Sequence, residues 1–336
     1  MQLSNFRRFF QTVASAILGT GLIFSSGCTN SAEALHASPE QEMTRLTADL
    51  STYAKTKSPT FQLVGNGAAG LLEVTKHQSE ESTQQLVSAL DGFLTESFFY
   101  YDDDGTLEMQ DPDMLEYLEA MMEKPQTAGK AVWTLDYLNE AEPVAMDQAL
   151  GRARGYVSMT AETTALDTIP RDTLDGIPGE NSNDIMTVRD ARNFLVLLNP
   201  GNFENYEDYI DTLSATPYDV LILDLYYDDQ PLDADDVALL QQKPQGGRRL
   251  VLAYLSVGEA ADYRPYWQDA WEGSASRPSW IAKTNPDWPG SYRVRYWADE
   301  WRHILYGSET SYLDQILAAG FDGAFLDVMD AWQTFQ

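Results

Sequence analysis

Two stretches with the same local pattern, FDGAFLD at Phe321–Asp327 and LDGFLTE at Leu90–Glu96, are the most informative feature of this chain. In each, an Asp-Gly turn opens a short apolar run, and an acidic residue follows five positions after the first aspartate. A third stretch, DVLILD at Asp219–Asp224, repeats this spacing without the glycine. Continuous apolar runs are typical of strands that are buried on both faces of a parallel sheet. Such strands, each ending in a carboxylate, predict a parallel barrel with acidic side chains at one rim.

The rest of the chain extends this pattern to eight predicted strands that alternate with helices. The predicted strands are Phe61–Gly67, Gly92–Phe99, Ala131–Tyr137, Tyr156–Thr160, Phe194–Leu198, Val220–Leu225, Leu250–Leu255 and Gly323–Leu326. The predicted helices are Glu40–Lys57, Ser79–Leu90, Pro112–Met122, Pro143–Arg154, Tyr206–Leu213, Ala234–Gln241 and Ser311–Ala319. Tyr100–Gly105 is predicted as a loop, and Tyr263–Tyr306 as an aromatic-rich excursion. Eight strands with helices between them predict an α/β fold, the (β/α)8 TIM barrel.

Composition excludes several kinds of chemistry. The 336 residues include 52 acidic and 22 basic side chains, a formal net charge of −30, which disfavours nucleic acid as a partner. With three scattered histidines and one cysteine, we expect neither a metal site, nor a serine–histidine–aspartate triad, nor an internal disulfide. No Walker-type loop is present, and no cofactor is expected. Carboxylates remain as the candidate reactive groups, and the acidic surface serves either solubility or attraction of a polycationic substrate.

The amino terminus is typical of an export signal. Arg7 and Arg8 precede an apolar stretch that ends in Ser25-Ser26-Gly27-Cys28. A basic segment, an apolar segment and small residues before the cleavage point describe a secretory signal. The ending resembles a bacterial lipobox, which predicts a lipoprotein signal peptide over 1–27, lipidation of Cys28 and a polar tether over 28–37. We therefore expect a protein of the cell envelope, anchored to the membrane by lipid, or alternatively a secreted one.

Five phrases of the C-terminal half resemble the first half of glycoside hydrolase family 114, the endo-α-1,4-polygalactosaminidase family. They are YDVLILD at 218–224, VLAYLSVGEA at 251–260, NPDWPG at 285–290, VRYW at 294–297 and FDGAFLD at 321–327. The N-terminal half resembles the second half of that family. Its phrases are GNG at 65–67, DGFLTES at 91–97, GKAVWTLDY at 129–137, GYV at 155–157 and LDTIP at 166–170.

The two halves stand in the reverse of the family order. The resemblance implies one domain over 38–336 in which family strands 5–8 (38–170) come first, a linker (171–191) follows, and strands 1–4 (192–336) come last. A circular permutation accounts for this order, because the pieces sum to one complete barrel and chain ends lie near one another at the surface of such domains. The alternative is a truncated tandem of two half barrels, which would leave open sheet edges.

The resemblance also implies the activity and the site. Glycoside hydrolysis by the usual route needs two carboxyl groups that flank the anomeric carbon. Carried over from the family, Asp327 is the predicted nucleophile and Glu96 the predicted general acid/base of a retaining enzyme that cleaves α-linked galactosamine polysaccharide. Substrate-binding roles are predicted for six further residues, Asn66, Asp136, Asp224, Tyr254, Glu259 and Trp297. For each acid the alternative is a carboxylate that orients a loop or pairs with an arginine such as Arg293 or Arg295.

Two other functions remain open from the sequence. One is a non-catalytic carbohydrate-binding barrel of the envelope, and the other is an α-glycosidase of different specificity, because a fold does not fix a substrate. In all three cases the expected partner is a polysaccharide.

Overall fold

The structure, a computed structural model, describes residues 37–103, 105–170, 176–273 and 276–336. The predicted signal peptide, Cys28 and the tether up to residue 36 lie outside these ranges. Within them, no helix combines the length and the apolar character needed to cross a bilayer.

Eight parallel strands form one nearly closed barrel, which confirms the predicted fold class. They are β1 (Gln62–Asn66), β2 (Gly92–Glu96), β3 (Ala131–Tyr137), β4 (Val157–Ala161), β5 (Leu195–Leu197), β6 (Val220–Leu223), β7 (Leu250–Ser256) and β8 (Gly323–Asp327). Their order in the sheet is β4-β3-β2-β1-β8-β7-β6-β5. The first and last strands of the chain are therefore neighbours, with Leu63 opposite Ala324 in a parallel ladder. Beyond the ends of β4 and β5, the Leu198 N–H donates to the Leu166 carbonyl at 2.9 Å and links the two edge strands.

The strands form because their apolar runs are buried on both faces. Every residue of β1, β5 and β6 is buried. Aromatic side chains help to fill the core: the Trp133 ring of β3 stacks on Phe194, just before β5, with centroids 4.6 Å apart and an interplanar angle of 14°. Burial of such large rings contributes about 1.5–3 kcal/mol each relative to exposure.

Helices cover the outside of the barrel. They are α1 (Pro39–Lys57), α2 (Glu80–Ala89), α3 (Pro112–Thr127), α4 (Ala141–Arg154), α5 (Tyr206–Ser214), α6 (Ala234–Leu240), α7 (Asp299–Leu305) and α8 (Tyr312–Ala318). α1 begins at a capping box formed by Ser38 and Gln41. It contacts α8 through a Tyr53–Asp314 hydrogen bond of 2.8 Å and the end of α2 through the Ser51 hydroxyl. α1 thus occupies the helical layer between the last and the first strand.

Residues 176–191, which precede β5, lie beneath the amino ends of the strands. The Asn181 side chain donates to both oxygens of Asp219 at 3.1 and 3.0 Å, and Lys243 Nζ lies 2.9 Å from the same carboxylate. The side chains of Asp219 and Lys243 are both fully buried. The predicted linker, over its described residues 176–191, is therefore fixed to the base of the barrel.

Two predictions of local structure were incomplete. Tyr100–Gly105, predicted as a loop, contains a strand, Tyr100–Asp103, which pairs with Thr106–Met109 in an antiparallel hairpin. The second strand is exposed along its whole length, so it lacks the apolar alternation that marks a strand in sequence. Two strands of the aromatic-rich excursion, Ile281–Thr284 and Ser291–Val294, join Glu259–Ala261, which precedes the excursion, in a three-stranded antiparallel sheet with Ser291–Val294 at its centre.

Candidate active site

Three neighbouring strands place polar side chains together at their carboxyl ends. Asn66, Glu96 and Asp327 are the last residues of β1, β2 and β8. The Asn66 amide Nδ2 donates to Glu96 Oε1 at 2.6 Å and to Asp327 Oδ1 at 2.8 Å. Because both oxygens bond to one nitrogen, they lie about 5.4 Å apart at most, and about 4.7 Å apart at the 120° angle between two amide N–H bonds. The structure therefore brings the two acids of the sequence prediction into one pair.

The backbone turns sharply after each of these three residues. Gly67, Ser97 and Val328, which directly follow them, have positive φ angles of 75°, 50° and 61°. For a β-branched residue such as Val328 this conformation is a genuine outlier, and such strain clusters at functional sites. In each case the residue in the left-handed conformation ends the strand at the rim of the barrel.

Glu96 occupies an environment that favours its protonated form. The side chain is half-buried, and its Oε2 accepts a hydrogen bond of 2.5 Å from the Tyr137 hydroxyl. Burial and the nearby charge of Asp327 raise the pKa of Glu96 to about 7, although the hydrogen bonds from Tyr137 and Asn66 oppose this shift. A carboxyl group with such a pKa is suited to general acid/base catalysis near neutral pH.

Asp224 lies after β6 and is paired with an arginine that sequence reasoning missed. Arg264 contacts it in a bidentate pair, with Nη1 2.8 Å from Oδ1, and both side chains are about nine-tenths buried. The guanidinium also lies over the rings of Tyr254 and Tyr263, 5.9 and 5.1 Å from their centroids. Tyr254 adjoins Asp327, and burial together with that charge raises the pKa of the tyrosine.

The negative charge of Glu259 is also compensated by an arginine. Its Oε1 accepts a hydrogen bond of 2.6 Å from Asn285 and lies 2.9 Å from Arg293 Nε, so the alternative prediction of pairing with Arg293 describes its contacts. Arg293 also approaches Asp330 at 3.9 Å. The side chain of Asp330 is 43% exposed, whereas that of Glu259 is 9% exposed. Burial raises the pKa of Glu259, and Arg293 opposes the shift.

Asp136 and Trp297, both predicted to bind substrate, make other contacts. Asp136 is fully buried, and its Oδ1 accepts the backbone N–H groups of Phe99 and Tyr100 at 3.0 and 2.9 Å. The half-buried Trp297 packs on Phe335, with ring centroids 4.9 Å apart. The residue at the end of β3 that does reach the acid pair is Tyr137. Since adjacent residues of a strand point to opposite faces, the sequence indicated only that Asp136 and Tyr137 could not both face the acid pair.

One glycine pattern was overlooked in the sequence. GNGAAG at Gly65–Gly70 has the G-x-G-x-x-G spacing of dinucleotide-binding loops. That motif requires the amino end of a helix for the pyrophosphate. Here a single 3-10 turn, Ala69–Leu72, follows, and a Cβ at Gly70 would lie 2.8 Å from the Trp332 ring. In this chain the loop instead presents Asn66 to the two acids.

The second half of the barrel carries a family signature. Residues 182–336 match the model of glycoside-hydrolase family GH114. The resemblance of the C-terminal half seen in the sequence is thereby confirmed, and the match does not extend to the N-terminal half. Asp327, Asp224 and Glu259 lie inside the GH114 segment, whereas Asn66, Glu96 and Tyr137 lie outside it.

Known proteins that are similar to this chain match it over a shorter stretch than the family model does. A protein of Deinococcus radiodurans is 38% identical over 125 residues, which is 37% of this chain and 37% of that protein. MJ1477 of Methanocaldococcus jannaschii is 33% identical over 124 residues, 37% of this chain and 34% of its own length. Both are described as uncharacterized proteins. The chain thus spans little more than a third of these relatives.

Proposed function

We propose that this protein hydrolyses α-linked galactosamine polysaccharide with retention of configuration, using Asp327 as nucleophile and Glu96 as acid/base. The observation that carries the proposal is the shared Asn66 amide, which holds oxygens of the two carboxyl groups about 5.4 Å apart at most. Retaining glycosidases place these groups about 5–5.5 Å apart, and inverting ones about 6.5–9.5 Å apart.

The environment of Glu96 supplies both halves of a two-step reaction. In the first step the Asp327 carboxylate attacks the anomeric carbon, while protonated Glu96 gives its proton to the glycosidic oxygen as the bond to the leaving sugar breaks. The resulting ester at Asp327 is neutral, so the charge that raised the pKa of Glu96 is gone. Glu96 then takes a proton from water as the water attacks the anomeric carbon, and both acids return to their starting states.

The uncompensated charge of Asp330 and an exposed aromatic side chain support an amino-sugar polymer. Asp224 and Glu259 are offset by arginines, whereas Asp330 makes only a long contact with Arg293. An excess of negative charge attracts a polycation. Trp288, 53% exposed on the excursion, presents a face for stacking on a sugar ring.

Release of reducing ends from acetylated and deacetylated α-1,4-galactosamine polymers tests this function. If Asp327 and Glu96 are the catalytic pair, Asp327→Asn and Glu96→Gln should each reduce the rate of hydrolysis by at least about a thousandfold, as for other catalytic groups that act as a unit. The matched controls Asp211→Asn and Glu116→Gln change exposed acids on α5 and α3 and should retain full activity. Binding of the polymer without hydrolysis by the wild type would favour the binding-barrel function, and hydrolysis of other α-glycans alone would favour a different specificity.

We also propose that the order of the halves is a circular permutation and that the chain is exported and lipidated at Cys28. Support for the permutation is that the GH114 segment supplies β5–β8, and that residues 37–170 supply the four strands completing the same sheet. A rearranged gene with 192–336 placed before 38–170 should give an active enzyme if the permutation is correct. Mass spectrometry of the N-terminal peptide from the native host tests lipidation of Cys28.

A further inference from the structure

A second pair of carboxyl groups lies behind the candidate active site. Asp136 at the end of β3 and Asp147 in α4 are both fully buried. Asp136 Oδ2 and both oxygens of Asp147 accept no hydrogen bond of ordinary geometry from the described residues. The side chains of Asp136 and Asp147 face Ser158 of β4 and Tyr100 of the hairpin. Within the part of the chain that the structure describes, neither acid forms an ion pair with a lysine or arginine. Two bare carboxylates in such a place would be very costly.

We propose that Asp136 and Asp147 share one proton and that the pair is a positioning device for Glu96. A proton on Asp147 supplies the missing donor, which leaves Asp136 ionised and able to accept two backbone N–H groups. Burial, followed by the charge of Asp136, raises the pKa of Asp147 to about 9, although the Ser158 hydroxyl opposes this shift. Such a pKa agrees with a carboxyl group that stays protonated at neutral pH.

The pair reaches Glu96 through the backbone. Phe99 and Tyr100, whose N–H groups Asp136 accepts, lie three and four residues after Glu96. Between Glu96 and Phe99 lie Ser97, which has a positive φ angle, and the fully buried Phe98. The next residue of β3, Tyr137, holds the carboxyl group of Glu96 itself. The end of β3 therefore fixes the acid from two sides, by the side chain of Tyr137 and by the loop bound to Asp136.

The sign of the pH dependence follows from the raised pKa of Asp147. Between an ordinary value of 3.8 and about 9, the folded state binds the proton and the unfolded state does not. The stability associated with this proton is fully present below pH 3.8, the ordinary pKa of an aspartate, and is lost as the pH rises through about 9.

Two substitutions at Asp147 separate the proton from the packing. Asp147→Asn keeps an N–H donor for Asp136 and does not titrate, whereas Asp147→Leu has a similar size and no donor. Between pH 7 and 9, where Asp136 with a pKa raised to about 6 is ionised, the unfolding equilibrium constant of the wild type relative to Asp147→Asn should rise by up to about tenfold per pH unit. An equal pH dependence of unfolding in the two proteins would overturn the shared proton.

The positioning role is measured by the pKa of Glu96, followed by NMR of the 13C-labelled carboxyl group. Asp147→Asn should leave this pKa unchanged, and Asp147→Leu should lower it, because a released loop lets water reach the acid. An unchanged value in Asp147→Leu would overturn the positioning role; if that variant does not fold, a changed value in Asp147→Asn would do so. The inference rests on the proposed function only where Glu96 is taken as the acid/base. Neither measurement needs a substrate, so failure of hydrolysis alone would count against the proposed function and not against the pair.

Discussion

Removal of the Tyr137 hydroxyl should make Glu96 a weaker acid. In Tyr137→Phe the ionised carboxylate loses a hydrogen bond of 2.5 Å, and such a bond to a charged group contributes about 1.5–3 kcal/mol. The pKa of Glu96 should therefore rise above its present value of about 7 by about one to two pH units. Asp327→Asn should have the opposite effect, because it removes a negative charge whose interaction is worth at most about 3.5 kcal/mol at about 4.7 Å and an effective dielectric constant of about 20.

Titration of the 13C-labelled Glu96 carboxyl group by NMR measures both changes without a substrate. Tyr101→Phe is the matched control, since it removes a tyrosine–glutamate bond of 2.8 Å to Glu108 at the exposed hairpin. It should leave Glu96 unchanged. If Tyr137→Phe leaves the pKa in place or lowers it, the proposed balance of burial, charge and hydrogen bonds around Glu96 is wrong.

Three further outcomes are expected. The rate of hydrolysis should fall as the pH rises through about 7, because the first step needs protonated Glu96, and a pH–rate profile of kcat/KM measures this. Gly323→Ala should cost about 1–3 kcal/mol in urea unfolding, since a Cβ there meets the β1 backbone, whereas Gly201→Ala, with open space around it, should be neutral. Lys243→Met should cost about 3–5 kcal/mol because it leaves Asp219 buried without its ion pair, while Lys57→Met at the half-exposed pair with Asp314 should cost much less. Equal costs for the two lysine variants would contradict the account of the barrel base.

The barrel could be predicted from the sequence because each strand is a short apolar run bounded by turn residues. Burial on both faces makes such runs continuous, and five of the described helices begin at a side-chain cap, as α1 does at Ser38. The hairpin at Tyr100–Met109 was not predictable in this way, since a ribbon exposed to solvent needs no apolar alternation.

The acid pair was predicted from its position at the strand ends, but its surroundings were not. Asn66 appeared as a substrate contact, whereas in the structure its amide joins the two acids. Asp136 and Tyr137 are adjacent, and sequence alone did not show which of them faces the barrel mouth. Arg264 lies 40 positions from Asp224, so only the folded excursion brings the two together.

The anomeric configuration of the first product tests the central claim most directly. Hydrolysis of an α-1,4-galactosamine polymer would be followed by 1H NMR before mutarotation, with Glu96→Gln as the inactive reference. The α-anomer should appear first, because two inversions at one carbon restore the starting configuration. Initial formation of the β-anomer, or hydrolysis that persists in Glu96→Gln, would contradict the assignment of Asp327 and Glu96 as a retaining pair.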